Sequence, residues 1–343
     1  MSATRRPRVA INGFGRIGRC LTRVAALDPN CPFELVAAND LADPSALTYL
    51  TRYDSTHGKF HGTVSLDGDV LTVGNQKVKL FAAMDPTTLP WKELGIDLVI
   101  ESTGKFTKRS AAAAHLTAGA KRVLISAPGD SKEAPDATVV FGINTDTLKP
   151  EHTVISAASC TTTCLAPLAK ALHEAFVVTG GVMTTVHAFT GDQVVLDLPH
   201  KKEPRRGRTA SQNIVPTSTG AAKAIGLVVP ALAGKLHGVA LRVPVPDVSL
   251  VDLVVCVEKA TTIAEVNDTL RAAAGRYPAG TFRVEDDLVV SSDLIGEPTG
   301  SVFDPSMTHV QGGNLVKVVA WYDNEWGYTN RLYALANHIL TSL

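Results

Sequence analysis

The chain has 343 residues, with 33 Lys and Arg against 33 Asp and Glu, 45% hydrophobic and 19% charged residues. At roughly 100–200 residues per domain this length suggests two domains, and the apolar content excludes global disorder. Zero net charge argues against a dedicated nucleic-acid binder, which carries a basic excess. The five cysteines are an odd, sparse set, which argues against a secreted disulfide scaffold and points to a reducing, cytoplasmic setting. No long apolar run follows the basic Met1–Arg8, so no secretory signal is expected. No stretch of about 18 apolar residues suggests a membrane span.

Short Val- and Ile-rich runs alternate with helical patterns through the first half. Arg8–Asn12, Glu34–Asn39, Asp97–Ser102, Arg122–Ser126, Thr138–Gly142 and Thr153–Ala157 read as buried parallel strands. Ile17–Leu27 and Arg109–Ala120 read as the helices between them. This rhythm predicts an α/β, Rossmann-type doubly wound sheet. In the second half, Gly181–His187, Leu236–Val243, Ser249–Glu258, Leu288–Ser292 and Asn314–Tyr322 read as strands. Helical patterns lie at Thr217–Val228 and Thr262–Gly275, so the expectation is an α+β domain on a mixed or antiparallel sheet. Trp326–Leu343 has apolar residues at helical spacing and reads as an amphipathic helix.

The first strand leads into Gly13-Phe14-Gly15-Arg16-Ile17-Gly18, the G-x-G-x-x-G pattern. Gly13 suits a tight turn, Gly15 the close approach of a pyrophosphate, and Gly18 the packing of helix on strand. Asp40, at the end of the second strand, can accept from ribose hydroxyls and would repel a 2′-phosphate, favouring NAD over NADP. Its bland alternative is a turn residue after a strand.

Ser159 is a good helix cap and would place Cys160 in a first helical turn, where a thiolate is stabilised. Pro167 should bend that helix or cost stability. Cys160 and Cys164 are one turn apart, which is not a metal or redox CxxC spacing, so no metal is expected. His187 leaves a strand whose other face carries Val182, Thr184 and Val186, and could pair with a nearby thiol. Thr217–Lys223 opens a helix with hydroxyls and N–H groups, a ready anion site. Arg242 is a lone charge in an apolar strand and should meet an anion or an acid. The basic loop Lys201–Arg208 reads first as a solvated surface.

These stretches resemble the phosphorylating, NAD-dependent glyceraldehyde-3-phosphate dehydrogenases over nearly the whole length. The likeness rests on Ile11–Arg19, Glu101–Gly104, Ser126–Pro128, Ser159–Thr162, Thr184–Ala188, Asp197–His200, Thr217–Lys223 and Trp321–Tyr328, in that order. It implies a Cys160 thioester mechanism with His187 as base, oxidising glyceraldehyde 3-phosphate with NAD and inorganic phosphate in glycolysis. It implies that Thr190, Asp192 and Arg242 hold the substrate phosphate, and that Ser159, Thr161, Arg206, Thr219 and Gly220 hold the attacking one. Arg16, Ile17, Asp40, Thr103, Ser126 and Asn324 would contact NAD, and Leu198-Pro199 matches the NAD-preferring form. It also implies a homotetramer, with Phe189–Gln212 reaching a neighbour. The NAD domain would comprise 1–158 plus 324–343, and the catalytic domain 159–323.

Thr163 stands where the family usually has Asn, Phe189 and Gly191 where it has Tyr and Asn, and Gly207 where it has Ala. These departures fit either drift in a working enzyme or a specialised isoenzyme with altered sensitivity to thiol-directed inhibitors. The alternatives are an erythrose-4-phosphate dehydrogenase and a noncatalytic nucleotide- or RNA-binding protein. The anion site at Thr217–Lys223 argues against the first, and the intact Cys160 and His187 against the second.

Overall fold

The computed structural model describes residues 5–200 and 203–342. The first residues of Met1–Arg8, the last of the C-terminal helix, and Lys201-Lys202 of the basic loop lie outside them. The chain divides into two compact units. One holds the residues up to Phe141, Thr145–Ala158 and those from Leu332 onward; the other holds Gly142–Asn144 and Ser159–Arg331.

The first unit begins with β1 (Arg8–Asn12), α1 (Arg16–Leu27), β2 (Glu34–Asn39) and α2 (Pro44–Arg52). A meander follows: β3 (Val64–Asp67), β4 (Val70–Val73) and β5 (Gln76–Phe81). Next come α3 (Trp91–Leu94), β6 (Leu98–Glu101), the single turns α4 (Arg109–Ala112) and α5 (Ala114–Thr117), β7 (Arg122–Ile125), β8 (Ala137–Thr138) and β9 (Val154–Ser156). Among the described residues they form one sheet, ordered β3-β4-β5-β2-β1-β6-β7-β9-β8. The pairs from β5 through β9 and β8 are parallel. Period-2 alternation explains why both faces are covered. Val9, Ile11, Leu98 and Ile100 point into one apolar cluster, and Ala10 and Val99 into another. Leu332, Leu335, Ala336 and Ile339 complete the first of these clusters.

Two expectations change here. The run at Thr138–Gly142 pairs only as far as Thr138, and the helix over Arg109–Ala120 is broken at Ala113 into two turns. The meander was not anticipated, because its strands are short and half exposed.

The second unit starts with α6 (Cys160–Phe176), which runs on through Pro167, and β10 (Val178–Ala188). Then come β11 (Val215–Ser218), α7 (Ala221–Val228), β12 (Leu236–Val243), β13 (Ser249–Val257), α8 (Ile263–Ala274), β14 (Arg283–Val284), β15 (Val302–Gln311) and β16 (Leu315–Tyr322), and α9 (Trp326–Ser342) is divided, its residues from Leu332 onward belonging to the first unit. The sheet order is β11-β12-β10-β13-β16-β15-β14, mixed in direction. α6 packs against α7, α8 and β16, and its burial on nearly every side explains its apolar sequence.

Thr217 and Ser218 belong to β11, so α7 starts only at Ala221. Leu288–Ser292 is not a strand: Leu288 and Val290 are exposed, and a 3₁₀ turn follows at Ser291–Leu294. Residues 324–331 group with the second unit rather than the first. Gly327 shows why, since a Cβ there would meet Thr299 O at 2.8 Å. Among the described residues no helix is long and apolar enough to cross a membrane.

Candidate active site

The chain enters α6 through Ala158, whose φ of +57° is left-handed and strained for a residue with a Cβ. Ser159 Oγ then accepts from Thr162 N–H at 3.1 Å and caps the helix. Cys160 is thereby the first helical residue, where free N–H groups and the helix dipole favour a thiolate. Its Sγ lies 3.5 Å from His187 Nε2.

Register brings the partners to His187. On the paired strands β10 and β12, His187 sits beside Arg242. Thr185, two residues earlier on the same face, lies 2.8 Å from the Tyr322 hydroxyl, and Thr161 lies 2.8 Å from that hydroxyl too. Tyr322 therefore ties the thiol's helix to the imidazole's strand. Its ring stands edge-on to His187, with centroids 5.9 Å apart. The sequence reading assigned Tyr322 no role; the signal was Thr185 sharing the His187 face.

Burial pushes the Cys160 thiol up, opposed by the Arg242 charge and by hydrogen bonds from Thr161. Burial, and then the Arg242 charge, push His187 down to about 3. His187 Nδ1 lies 2.7 Å from Ala188 O and 2.5 Å from Arg242 Nη1, which can only donate. Arg242 Nη1 donates to the same carbonyl at 3.0 Å. Cys164, one turn on, is fully buried with its thiol pushed up to about 12 by burial, and it fills core space near Ser301 Oγ.

The expected anion residues fall into two groups. Arg206 Nη1 donates to Asp192 at 3.0 Å and its Nε to Thr217 Oγ1 at 2.8 Å, while Thr190 donates to the other Asp192 oxygen. Burial would raise the Asp192 carboxyl, but the Thr190 hydroxyl and the charges of Arg206 and Arg242 hold it low. Arg242 Nε is buried without a hydrogen-bond partner. Thr190, Asp192, Arg206 and Arg242 thus form one charged cluster beside His187. Two residues past the Arg206 partner Thr217, Thr219 Oγ1 accepts from Ala221 N–H at 3.2 Å, and Gly220 is the helix cap. Thr219 lines a groove of about 300 Å³ with Thr184, Lys223 and His237.

Asn324 belongs to the second unit and accepts from Ser249 Oγ at 2.6 Å. Ser249 Oγ in turn accepts from Ala188 N–H at 3.1 Å, one residue past His187.

The glycine turn lies in the first unit. Gly13 has φ +93°, and a Cβ there would meet Thr103 N at 2.6 Å; one at Gly18 would meet Gly13 O at 2.4 Å. Both positions need glycine for packing. At Gly15 a Cβ would meet nothing within 4 Å, so packing makes no such demand there. Gly15 caps α1 without a side-chain acceptor, which suits the helix start to an anion. Asp40 Oδ2 accepts from Phe14 N–H at 2.8 Å. Arg16 is engaged by Asp54 at 2.6 Å; burial would raise that carboxyl, but the His57 N–H, Arg16 and the Thr56 N–H hold it at about 2, so backbone rather than guanidinium is what residues 16 and 17 offer a nucleotide. Gly13, Gly15, Asp40, Thr103 and Phe106 line a cavity of about 380 Å³. Ser126 N–H donates to Glu101 O at 2.9 Å, at the edge of the same strand ends.

Two family descriptions match the chain. "Glyceraldehyde 3-phosphate dehydrogenase, NAD binding domain" covers residues 7–109, and the corresponding C-terminal domain covers residues 159–324. The chain is 51% identical over 333 residues to glyceraldehyde-3-phosphate dehydrogenase of Geobacillus stearothermophilus, covering 97% of this chain and 98% of that protein. It is 54% identical over 325 residues to the Thermotoga maritima protein of the same name, covering 95% and 96%. The chain belongs to the glyceraldehyde 3-phosphate dehydrogenase family.

Its departures from the family pattern have local readings. Thr163 Oγ1 donates back to Ser159 O at 3.0 Å, within the turn that carries the thiol. Gly207 is demanded by its backbone, since a Cβ would stand 2.1 Å from Leu198 O. Gly191 meets nothing within 4 Å, and nothing in the structure explains it or Phe189.

Proposed function

We propose that this protein oxidises glyceraldehyde 3-phosphate to 1,3-bisphosphoglycerate with NAD and inorganic phosphate, as a glycolytic enzyme of the cytoplasm. The observation that carries the reading is Cys160 Sγ at a helix start, 3.5 Å from His187 Nε2. His187 takes the thiol proton as sulfur attacks the aldehyde carbon and passes it to the carbonyl oxygen, giving a hemithioacetal and freeing the imidazole. Bound NAD would supply the hydride acceptor for oxidation of that carbon. His187 takes the hydroxyl proton in the same event, and Cys160 is left as a thioester. Phosphate then attacks the thioester carbon and the Cys160 sulfur leaves as thiolate, which regains its proton.

Arg242, Thr190 and Asp192 are assigned to the substrate phosphate. Arg206, Thr219, Gly220, Ser159 and Thr161 are assigned to the attacking one. The Arg242 guanidinium, buried with its Nε unpartnered, supports an anion there. The glycine turn supports NAD: two glycines are sterically required, one is open, and the Asp40 carboxylate, bonded to the turn at Phe14 N–H, would repel a 2′-phosphate. Gly18, Ile17, Arg16, Thr103, Ser126 and Asn324 complete the assignment. A homotetramer is part of the same reading.

The test is a steady-state assay of NADH formation from glyceraldehyde 3-phosphate, with and without phosphate. Phosphate-dependent turnover is expected. Sustained turnover in its absence would replace phosphorolysis by hydrolysis, and a mass corresponding to a tetramer in sedimentation would support the assembly.

A further inference from the structure

Behind the glycine turn stands a row of buried polar side chains that the reaction steps leave unused. Parallel register creates it: Asn12 ends β1, and is paired with Asn39 at the end of β2 and Glu101 at the end of β6. Asn39 Nδ2 donates to Asn12 Oδ1 at 2.8 Å, and Asn12 Nδ2 donates to Glu101 Oε2 at 2.6 Å. His115 Nε2 lies 3.2 Å from the same carboxylate oxygen. Trp91 Nε1, which can only donate, lies 3.1 Å from His115 Nδ1. So Nδ1 accepts, and the ring hydrogen sits on Nε2, facing Glu101. The other Glu101 oxygen accepts from Thr103 N–H at 2.8 Å and from its hydroxyl.

Four donors converge on a carboxylate that is 1% exposed, and none belongs to Lys or Arg. Both carboxylate oxygens thus serve as acceptors, which directs attention to what their donors hold. They hold the wall of the turn. Ser102 N–H donates to Asn12 O at 2.7 Å, and its hydroxyl to Gly13 O at 2.6 Å. The Gly13 backbone rests directly on Thr103. Asn12, Gly13, Asn39, Ser102 and Thr103 all line the 380 Å³ cavity.

We propose that Glu101 is a positioning residue for NAD: its buried carboxylate fixes Asn12 and Thr103, and so pre-shapes the Gly13 turn. His115 and Trp91 hold the carboxylate from behind. The proposal rests on the NAD reading above.

Wild type, Glu101→Gln, His115→Gln and His115→Leu are to be titrated calorimetrically with NAD, melted without it, and assayed at saturating NAD. Glu101→Gln places an amide NH₂ among four donors. Its Kd for NAD should rise about 10–100-fold, with kcat at saturation within about twofold of wild type. His115→Gln can accept from Trp91 and donate to Glu101, so its Kd should stay within about threefold. His115→Leu can do neither and should weaken binding about tenfold. If Glu101→Gln melts lower but binds NAD like wild type, the carboxylate is structural and the proposal falls. If that variant gives no cooperative melt, the His115 pair decides, and equal affinities for the two overturn it. Failure of wild type to bind NAD would sink the NAD reading itself, and this proposal with it, before any variant is compared.

Discussion

The strand-end row of the first unit and the Cys160–His187–Arg242 centre of the second treat buried polarity in opposite ways. In the row, donors and acceptors are matched from Asn39 through Asn12 to Glu101, and His115 is held in one tautomer. In the centre, burial pushes the thiol up and the imidazole down, while Arg242 Nε has no partner. The lesson is a division of labour. A surface that must hold a shape satisfies its hydrogen bonds internally, whereas a centre that must move protons keeps groups away from their relaxed state.

The widest test of that contrast is Cys160→Ser, which removes the nucleophile and should lower kcat by about 10⁴-fold or more while NAD affinity holds; turnover near wild type would end the covalent reading. His187→Asn should cost about 10²–10⁴ in turnover. His187 also gives a pH signature. The unfolded imidazole protonates near 6.5 and the folded one at about 3, so the unfolded chain binds more protons between those values. Stability should therefore fall as pH drops through that window, and His187→Asn should flatten the slope in a Tm series. Identical slopes would mean the imidazole titrates normally.

On the satisfied side, Asp40→Ala should weaken NAD about tenfold and narrow its preference over NADP, read by paired titrations. Unchanged discrimination would remove Asp40 from the ribose. The smallest effect sharpens the bridge between regions of the second unit. Tyr322→Phe strands the Thr161 and Thr185 hydroxyls, at about 1–3 kcal/mol, and should lower Tm by several degrees with only a modest change in kcat.

Much of the first sheet was legible because its parallel strands are buried on both faces and read as unbroken apolar runs ending in Asn, Ser or Glu. The meander between Val64 and Phe81 escaped, although Gly68-Asp69 and Gly74-Asn75 are two-residue hairpin loops with positive-φ glycines. Leu288–Ser292 misled in the other direction: composition suited a strand, but among the described residues no partner strand receives it. At the site, the motif around Cys160 announced its helix start through Ser159. The Glu101 row was invisible, because register between strands ninety residues apart is a tertiary fact. Neither Asn12 nor Glu101 looks unusual in its own segment.

Leu332, Leu335, Ala336 and Ile339 belong to the same apolar cluster as Val9 and Ile11. At roughly 5–20 residues per second of synthesis, the interval from Ala158 to Leu332 lasts about 10–35 s. Throughout it the nascent first unit carries an open hydrophobic seam that only a segment not yet made can close. The order of translation thus leaves the nucleotide half exposed to aggregation, and to chaperone capture, until the catalytic half has already emerged.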